Sequence, residues 1–216
     1  MILKTLKVHI ESRNLITNCY IILDEESHEA MVIDPGAEVN KIIEMLDLLG
    51  ANLKYILLTH CHVDHIGNVA ELKNKKGGKI LVSRDDSEGL YKEELNLAYY
   101  VEMNIPELEA DSRLDDEDLI HIGNLEFKVI LTPGHTRGGI CLYNKEHSMM
   151  FTGDTIFAGT WGRTDLPTGS LEEIMDSIEN KILTYPDDTI LYPGHGRSTL
   201  IGDEKSLYLE LKRKEF

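Results

Sequence analysis

Cysteine is scarce in this chain. Cys19, Cys61 and Cys141 are the three in 216 residues, widely spaced and with no Cys-x-x-Cys pair. An odd, scattered set makes no disulfide framework and suits a reducing compartment, the cytoplasm. Long apolar runs are also missing. The opening MILKTLKVHIESRN holds no stretch long enough for the core of a secretion signal. No segment approaches the roughly 20 apolar residues of a membrane-spanning helix. Basic residues are few: Lys and Arg number 22 against 38 Asp and Glu, a formal charge of −16. A surface of that sign repels phosphate backbones, which argues against a nucleic-acid partner. No internal repeat or low-complexity segment stands out.

What is present is a globular chain with 42% hydrophobic residues, of a length suited to one domain, 1–216. Residues 2–10 read as a first strand. Residues 19–23 and 30–33 read as a hairpin around the polar turn 24–28, and Asp34-Pro35-Gly36 stops the second strand. Val39, Ile42, Ile43, Leu46 and Leu49 recur at helical spacing before Gly50, a C-cap. Residues 55–58 form a buried strand, 66–76 a helix closed by Gly77-Gly78, and 79–83 another strand. Residues 84–118 are acidic, with Leu90, Tyr91, Tyr99 and Tyr100 interspersed. They read as a partly helical insertion bringing aromatic side chains to the mouth of a site, or as a solvated connection with a few packed aromatics. Strands follow at 119–122, 125–131, 140–143 and 149–152. Residues 169–183 read as a helix with Ser170 as N-cap and Glu173 as its capping-box acid. A last strand covers 189–192 and a last helix 202–214.

The chemistry concentrates in LLTHCHVDHIG, residues 57–67. His60, His62, Asp64 and His65 fall within six residues of a chain that has nine His. Composition alone yields a His-x-His-x-Asp-His match in about one such chain in a thousand. Imidazole and carboxylate are the usual ligands of zinc and non-haem iron. Four of them on one short turn can serve two ions, because neighbours on a turn point different ways. They follow a buried strand, so they sit at its C-terminal end, where α/β enzymes place their chemistry.

THCHVDHIGN resembles the THxHxDHxGN signature of the metallo-β-lactamase-fold superfamily. That resemblance implies an α/β (α+β) chain folded as a four-layer αββα sandwich, with a metal site along one edge of its two sheets. It implies further ligands just past later strands, and TPGHT, FTGD and YPGHG supply His135, Asp154 and His195 in that order. In the family pattern His60, His62 and His135 hold one divalent ion. Asp64, His65 and His195 hold a second, and Asp154 bridges both. The ions implied are zinc first, with iron or manganese as alternatives. Asp34 or Thr59 would orient an imidazole from behind. His9, His28, His121 and His147 match no motif and read as surface or packing residues. Cys61, between ligands, reads as a small buried side chain rather than a thiolate ligand, and Cys141 as core.

GTWGRTDLPTGS, residues 159–170, resembles the GRxD element of the glyoxalase II-like branch. Arg163 and Asp165 would pair and brace the loop after Asp154; alternatively Arg163 grips a substrate carboxylate. GHGRSTLIGDEK resembles the GHGxxTTIGxEK ending of small, single-domain glyoxalase II-like hydrolases, with Leu200 in place of the second Thr. Larger members add a helical domain that binds glutathione. With residues 196–216 after His195, that domain is not expected here.

The resemblance therefore implies a binuclear metal-dependent hydrolase acting on a small-molecule thioester or ester. A metal-bridging hydroxide would attack the carbonyl while one ion holds the oxyanion. Asp64 would hold the second ion and take a proton from incoming water. A thiolate leaving group, from a thiol of pKa about 8.5, needs little protonation. The alternative within the fold is a mono-iron persulfide dioxygenase using His60, His135 and Asp154. A non-catalytic metal-binding module fits the intact ligand set less well. So does a β-lactamase, because the secreted lactamases do not usually have Asp at the position of Asp154. The acidic surface sets the nuclease branches aside.

Overall fold

The computed structural model describes residues 1–10, 14–100 and 105–214, with the side chains of the last helix described to Tyr208. Two six-stranded sheets form its centre. The first contains β1 (Ile2–Ile10), β2 (Leu15–Leu23), β3 (Glu29–Ile33), β4 (Asn52–Leu57), β5 (Lys79–Ser83) and β6 (Ser112–Leu114), hydrogen-bonded in that order. The pairs β1–β2 and β2–β3 are antiparallel, and β3 to β6 run parallel. Helix α1 (Val39–Leu48) crosses from β3 to β4, and α2 (Val63–Ile66) and α3 (Val69–Lys76) cross from β4 to β5. Parallel neighbours require such crossovers. Among their described residues, 84–100 and 105–111 add only the one-turn helix α4 (Glu93–Asn96) and a 3₁₀ turn, Ser87–Leu90.

The second sheet is built from β7 (Leu119–Ile122), β8 (Leu125–Leu131), β9 (Ile140–Asn144), β10 (Met149–Gly153), β13 (Ile190–Pro193) and β14 (Thr199–Leu200). A small hairpin, β11 (Ile156–Phe157) with β12 (Thr160–Trp161), and α5 (Leu171–Asp176) lie between β10 and β13, and α6 (Ile201–Lys214) follows β14. The sheet is antiparallel except for the β10–β13 pair.

Side chains alternate along each strand, so each sheet offers two faces. Cys19, Ile21 and Leu23 of β2 turn outward onto Ile42 and Leu46 of α1 and onto Val69 and Leu72 of α3. Tyr20 and Ile22 turn inward and meet Phe127, Leu142 and Phe151 of the second sheet. The outer face of that sheet, with Cys141, Met150 and Leu191, packs on Ile174, Ile178 and Ile201. The layers run helix, sheet, sheet, helix. With both faces covered, strands such as β2 and β10 read as nearly continuous apolar runs. Each buried Leu or Ile of this kind contributes roughly 1.5–3 kcal/mol relative to exposure.

Several boundaries differ from the sequence reading. β2 starts at Leu15 rather than at residue 19. The helix expected over 66–76 breaks into α2 and α3, because Asn68 is committed elsewhere: its side chain accepts from Val39 N–H (2.9 Å) and its own N–H donates to Pro35. The helix expected over 169–183 is regular only through α5. It then widens into a π turn at Ser177–Lys181, where Ser177 Oγ donates to the Pro133 carbonyl at 2.8 Å, and tightens at Ile182–Thr184. Its Ser170 cap forms as expected, accepting from Glu173 N–H. β6, β11, β12 and β14 are short and carry no periodicity that the sequence could show.

Candidate metal centre

The seven candidate ligands all leave the C-terminal ends of strands. His60, His62, Asp64 and His65 follow β4, His135 follows β8, Asp154 follows β10 and His195 follows β13. The two sheets are stitched together at this edge. Asn18 N–H donates to the Gly194 carbonyl at 2.7 Å, Tyr20 Oη donates to the Pro193 carbonyl at 2.6 Å, and Ile140 N–H donates to the Thr59 carbonyl at 2.9 Å. Strand ends from separate sheets thereby converge on one point. The approach is close enough that Gly194 is required: a Cβ there would lie 2.2 Å from Asp154 Oδ1 and 2.7 Å from His65 Cε1.

The ligand atoms fall into overlapping groups. His60, His62 and His135 form one, Asp64, His65 and His195 another, and His60, His65 and Asp154 a third that joins them. His62 Nδ1 faces His135 Nε2 at 2.9 Å. Asp154 Oδ2 lies 3.5 Å from His135 Nε2 and 3.4 Å from His195 Nε2, and its Oδ1 lies 3.5 Å from His65 Nε2. Asp64 Oδ2 is 3.2 Å from His195 Nε2 and accepts from Thr17 Oγ1 at 3.3 Å.

Four of the five rings are oriented from behind. His60 Nδ1 contacts Thr59 Oγ1 (3.2 Å), and His65 Nδ1 contacts Asp34 Oδ2 (3.0 Å). His135 Nδ1 donates to the Arg163 carbonyl and His195 Nδ1 to the Ile16 carbonyl, each at 2.7 Å. With Nδ1 engaged, Nε2 is the nitrogen left to face the site in these four. The Thr59 and Asp34 partners are those the sequence suggests. The Ile16 and Arg163 partners are backbone carbonyls, which no side-chain pattern announces.

Charge separates the two groups. Burial, with neighbouring imidazoles adding to it, drives His60 well below its ordinary pKa and His62 down to about 3. Burial acts the same way on His65 and His195, but the surrounding carboxylates outweigh it. Asp64, Asp154 and Asp34 hold His65 up at about 9, and Asp154 and Asp64 hold His195 at about 11. In return, and against burial, His65 and His195 hold Asp64 at about 2 and Asp154 well below the carboxylate range. His60 and His62 are thereby neutral, whereas Asp64, His65, Asp154 and His195 form a charged network.

The residues fit a metal. His60 Nε2, His62 Nε2, His65 Nε2 and Asp154 Oδ1 are buried with no hydrogen-bond partner. Buried polar atoms are rarely left so. Three of these four atoms come from His60, His65 and Asp154, the residues of the group that joins the two halves. Imidazole nitrogens and carboxylate oxygens together suit zinc or iron.

A cavity of about 370 Å³ opens over the centre. Its walls are apolar, with Ile10, Leu15, Val63, Leu97, Phe157 and Leu166 around the ligands, and Arg163 at the rim. The insertion does reach the mouth, but through Leu97. Tyr91, Tyr99 and Tyr100 do not line the cavity and are 43%, 73% and 60% exposed, which corrects the expected aromatic wall. Arg163 pairs bidentately with Asp165, both bonds 2.7 Å, in the open. Cys61 is buried, with Sγ 3.7 Å from the Leu95 carbonyl and no part in the ligand groups. His121 contacts Glu126, and His147 contacts Asn144, on the far side of the fold.

Sequence reasoning missed Asp86. This buried carboxylate accepts from Cys61 N–H (3.0 Å), Thr136 Oγ1 (2.7 Å) and Gly138 N–H (2.9 Å). Burial raises its pKa, and those bonds oppose the rise.

Comparison with known proteins agrees with this architecture. A family model described as the metallo-beta-lactamase superfamily matches residues 13–195. Hydroxyacylglutathione hydrolase GloC of Haemophilus influenzae is 37% identical over 192 residues, covering 87% of this chain and 89% of that protein. The crystal structure of the B3 metallo-beta-lactamase BLEG-1 is 32% identical, with a TM-score of 0.88, over 95% of this chain and 97% of that one. The crystal structure of ETHE1 from Myxococcus xanthus is 29% identical, with a TM-score of 0.78, over 95% and 82% respectively. By its signature motifs, its layered sheets and this match over most of its length, the chain belongs to the metallo-beta-lactamase superfamily.

Proposed function

We propose that residues 1–216 act as one domain, a cytoplasmic, binuclear metal-dependent hydrolase of a small thioester or ester. The observation that carries this reading is the setting of Asp154. One of its oxygens faces His135 and His195 and the other faces His65, so a single carboxylate touches both halves of the ligand set. A carboxylate between two cations is what a bridged site about 3.5–4 Å across needs. His60, His62 and His135 would hold one ion, and Asp64, His65 and His195 the other, zinc before iron or manganese. The likeness to GloC supports a hydrolase.

Two bound divalent ions supply Lewis acidity and lower the pKa of a water to near 7. The protein does the rest. Asp64 Oδ2, at the cavity wall, takes the proton from the reacting water. Ile10, Leu15, Val63, Leu97, Phe157 and Leu166 exclude bulk water and receive the acyl group. A thiolate leaving group requires no general acid from the chain.

A second reading, a mono-iron persulfide dioxygenase, draws on the likeness to ETHE1 and would use His60, His135 and Asp154. Oxygen separates the two. Zinc-loaded protein should cleave a thioester anaerobically, with about two zinc per chain by elemental analysis. Asp154→Asn should lose both ions and nearly all activity. Rapid oxygen consumption with a persulfide in the iron form, with no thioesterase activity in the zinc form, overturns the hydrolase reading. A preference for a β-lactam over every thioester offered overturns the substrate class.

A further inference from the structure

Asp86 stands outside the ligand set yet ties together the two turns that carry His60, His62 and His135. Cys61, whose N–H it receives at 3.0 Å, lies between His60 and His62. Thr136, whose hydroxyl it receives at 2.7 Å, directly follows His135, and Gly138, whose N–H it receives at 2.9 Å, is two residues further on. Three donors from two chain segments, 75 residues apart between Cys61 and Thr136 in number, thus converge on one side chain. The carboxylate is itself held. Asp86 N–H donates to Ser83 Oγ at 3.2 Å, and Ser83 Oγ donates to the Gly138 carbonyl. Gly138 lies so close that a Cβ would sit 2.6 Å from Asp86 Oδ1. Asp34 has the corresponding place behind the charged half, accepting from Thr59 and contacting His65.

We infer that Asp86 is a positioning residue: it sets the separation between the His60–His62 turn and the His135 turn, and so the ion affinity of that group, without touching an ion. The inference rests on the metal-centre reading above. It is specific to one half of the centre, because no bond from Asp86 reaches Asp64, His65 or His195 among the described residues. The chemistry requires a carboxylate rather than an amide. Oδ2 takes two donors and Oδ1 takes one, so an amide nitrogen in either place opposes a backbone N–H.

The test is zinc titration of the folded, metal-free protein against a chromogenic chelator, with cobalt(II) spectra as a second readout. Asp86→Asn should weaken the ion held by His60, His62 and His135 by about 10- to 100-fold and shift its cobalt spectrum. The ion held by Asp64, His65 and His195 should keep its affinity, which a general loosening of the fold would not allow. Thr136→Val removes one bond and keeps the volume, so it should shift the same ion in the same direction. Thr136→Ser keeps the hydroxyl and should restore wild-type binding. Should Asp86→Asn not fold, Thr136→Val decides. Wild-type affinity and an unchanged cobalt spectrum in Thr136→Val, and in Asp86→Asn where it folds, overturn the inference while leaving the metal-centre reading intact. A wild-type protein that takes up no ion overturns both.

Discussion

His65 Nδ1 lies 3.0 Å from Asp34 Oδ2, and both side chains are sealed from solvent. The same carboxylate accepts from the Thr59 N–H at 2.8 Å and from its hydroxyl at 2.6 Å. Asp34 takes a left-handed backbone conformation, φ 54°, to reach them. Residues other than glycine adopt that conformation at a cost of about 1–2 kcal/mol. The exit from β3 is thus bent to press one carboxylate against the histidine turn after β4.

Asp34→Ala should therefore be severe. It strands an N–H, a hydroxyl and an imidazole in the interior, and losing one partner of a buried pair costs about 3–5 kcal/mol. Urea unfolding of the metal-free protein measures this. Asp34→Asn keeps one acceptor and should lose less. A loss below about 1 kcal/mol in the alanine variant would show that His65 finds another partner.

The stability of the metal-free protein should peak near pH 6.5. The pKa values of His65 and His195 are raised on folding, to about 9 and about 11. Their contribution is complete below the unfolded value and drains away as pH rises through the folded ones. His60 and His62 are depressed, His62 to about 3, so the unfolded chain takes up their protons first and stability falls as pH drops below 6.5. Asp64, held at about 2, adds a further loss in strong acid. Thermal melts from pH 4 to 10 check the curve. A flat profile from 6.5 to 10 would contradict the charged state assigned to His65 and His195.

Metal binding should release protons unevenly. At pH 7.5 the His60 and His62 rings are already neutral, whereas His65 and His195 must give up theirs. Filling the second group should liberate about two protons. Calorimetry in two buffers of different ionisation enthalpy counts them. A count near zero would mean that these histidines bind no ion.

Arg163 should matter less than its place at the cavity rim suggests. Its side chain is paired with Asp165 in the open, and such pairs contribute about 0–1 kcal/mol. Its backbone carbonyl, which orients His135, survives substitution. Arg163→Ala should leave zinc affinity as it was and shift stability by at most about 1 kcal/mol. A rise in KM confined to substrates bearing a carboxylate would show instead that Arg163 grips substrate.

What the sequence by itself determined is what depends on near neighbours. The spacing of His60, His62, Asp64 and His65 puts four ligands on one turn, and the apolar stretch before them places that turn at a strand end. The existence of β4 and β8 as strands, and the Ser170 cap of α5, are equally local and were legible. Residues 84–118 were not, because their few apolar positions follow no period; only packing puts Leu97 at the cavity and leaves Tyr99 and Tyr100 outside. The tertiary structure alone decided which nitrogen of each imidazole faces the centre. For His135 and His195 that choice belongs to the carbonyls of Arg163 and Ile16, groups that every residue carries and that a distant loop and a distant strand deliver. Asp86 is the same case in a side chain: one acid among many in an acidic stretch until the two sheets close and set it between Cys61 and Thr136.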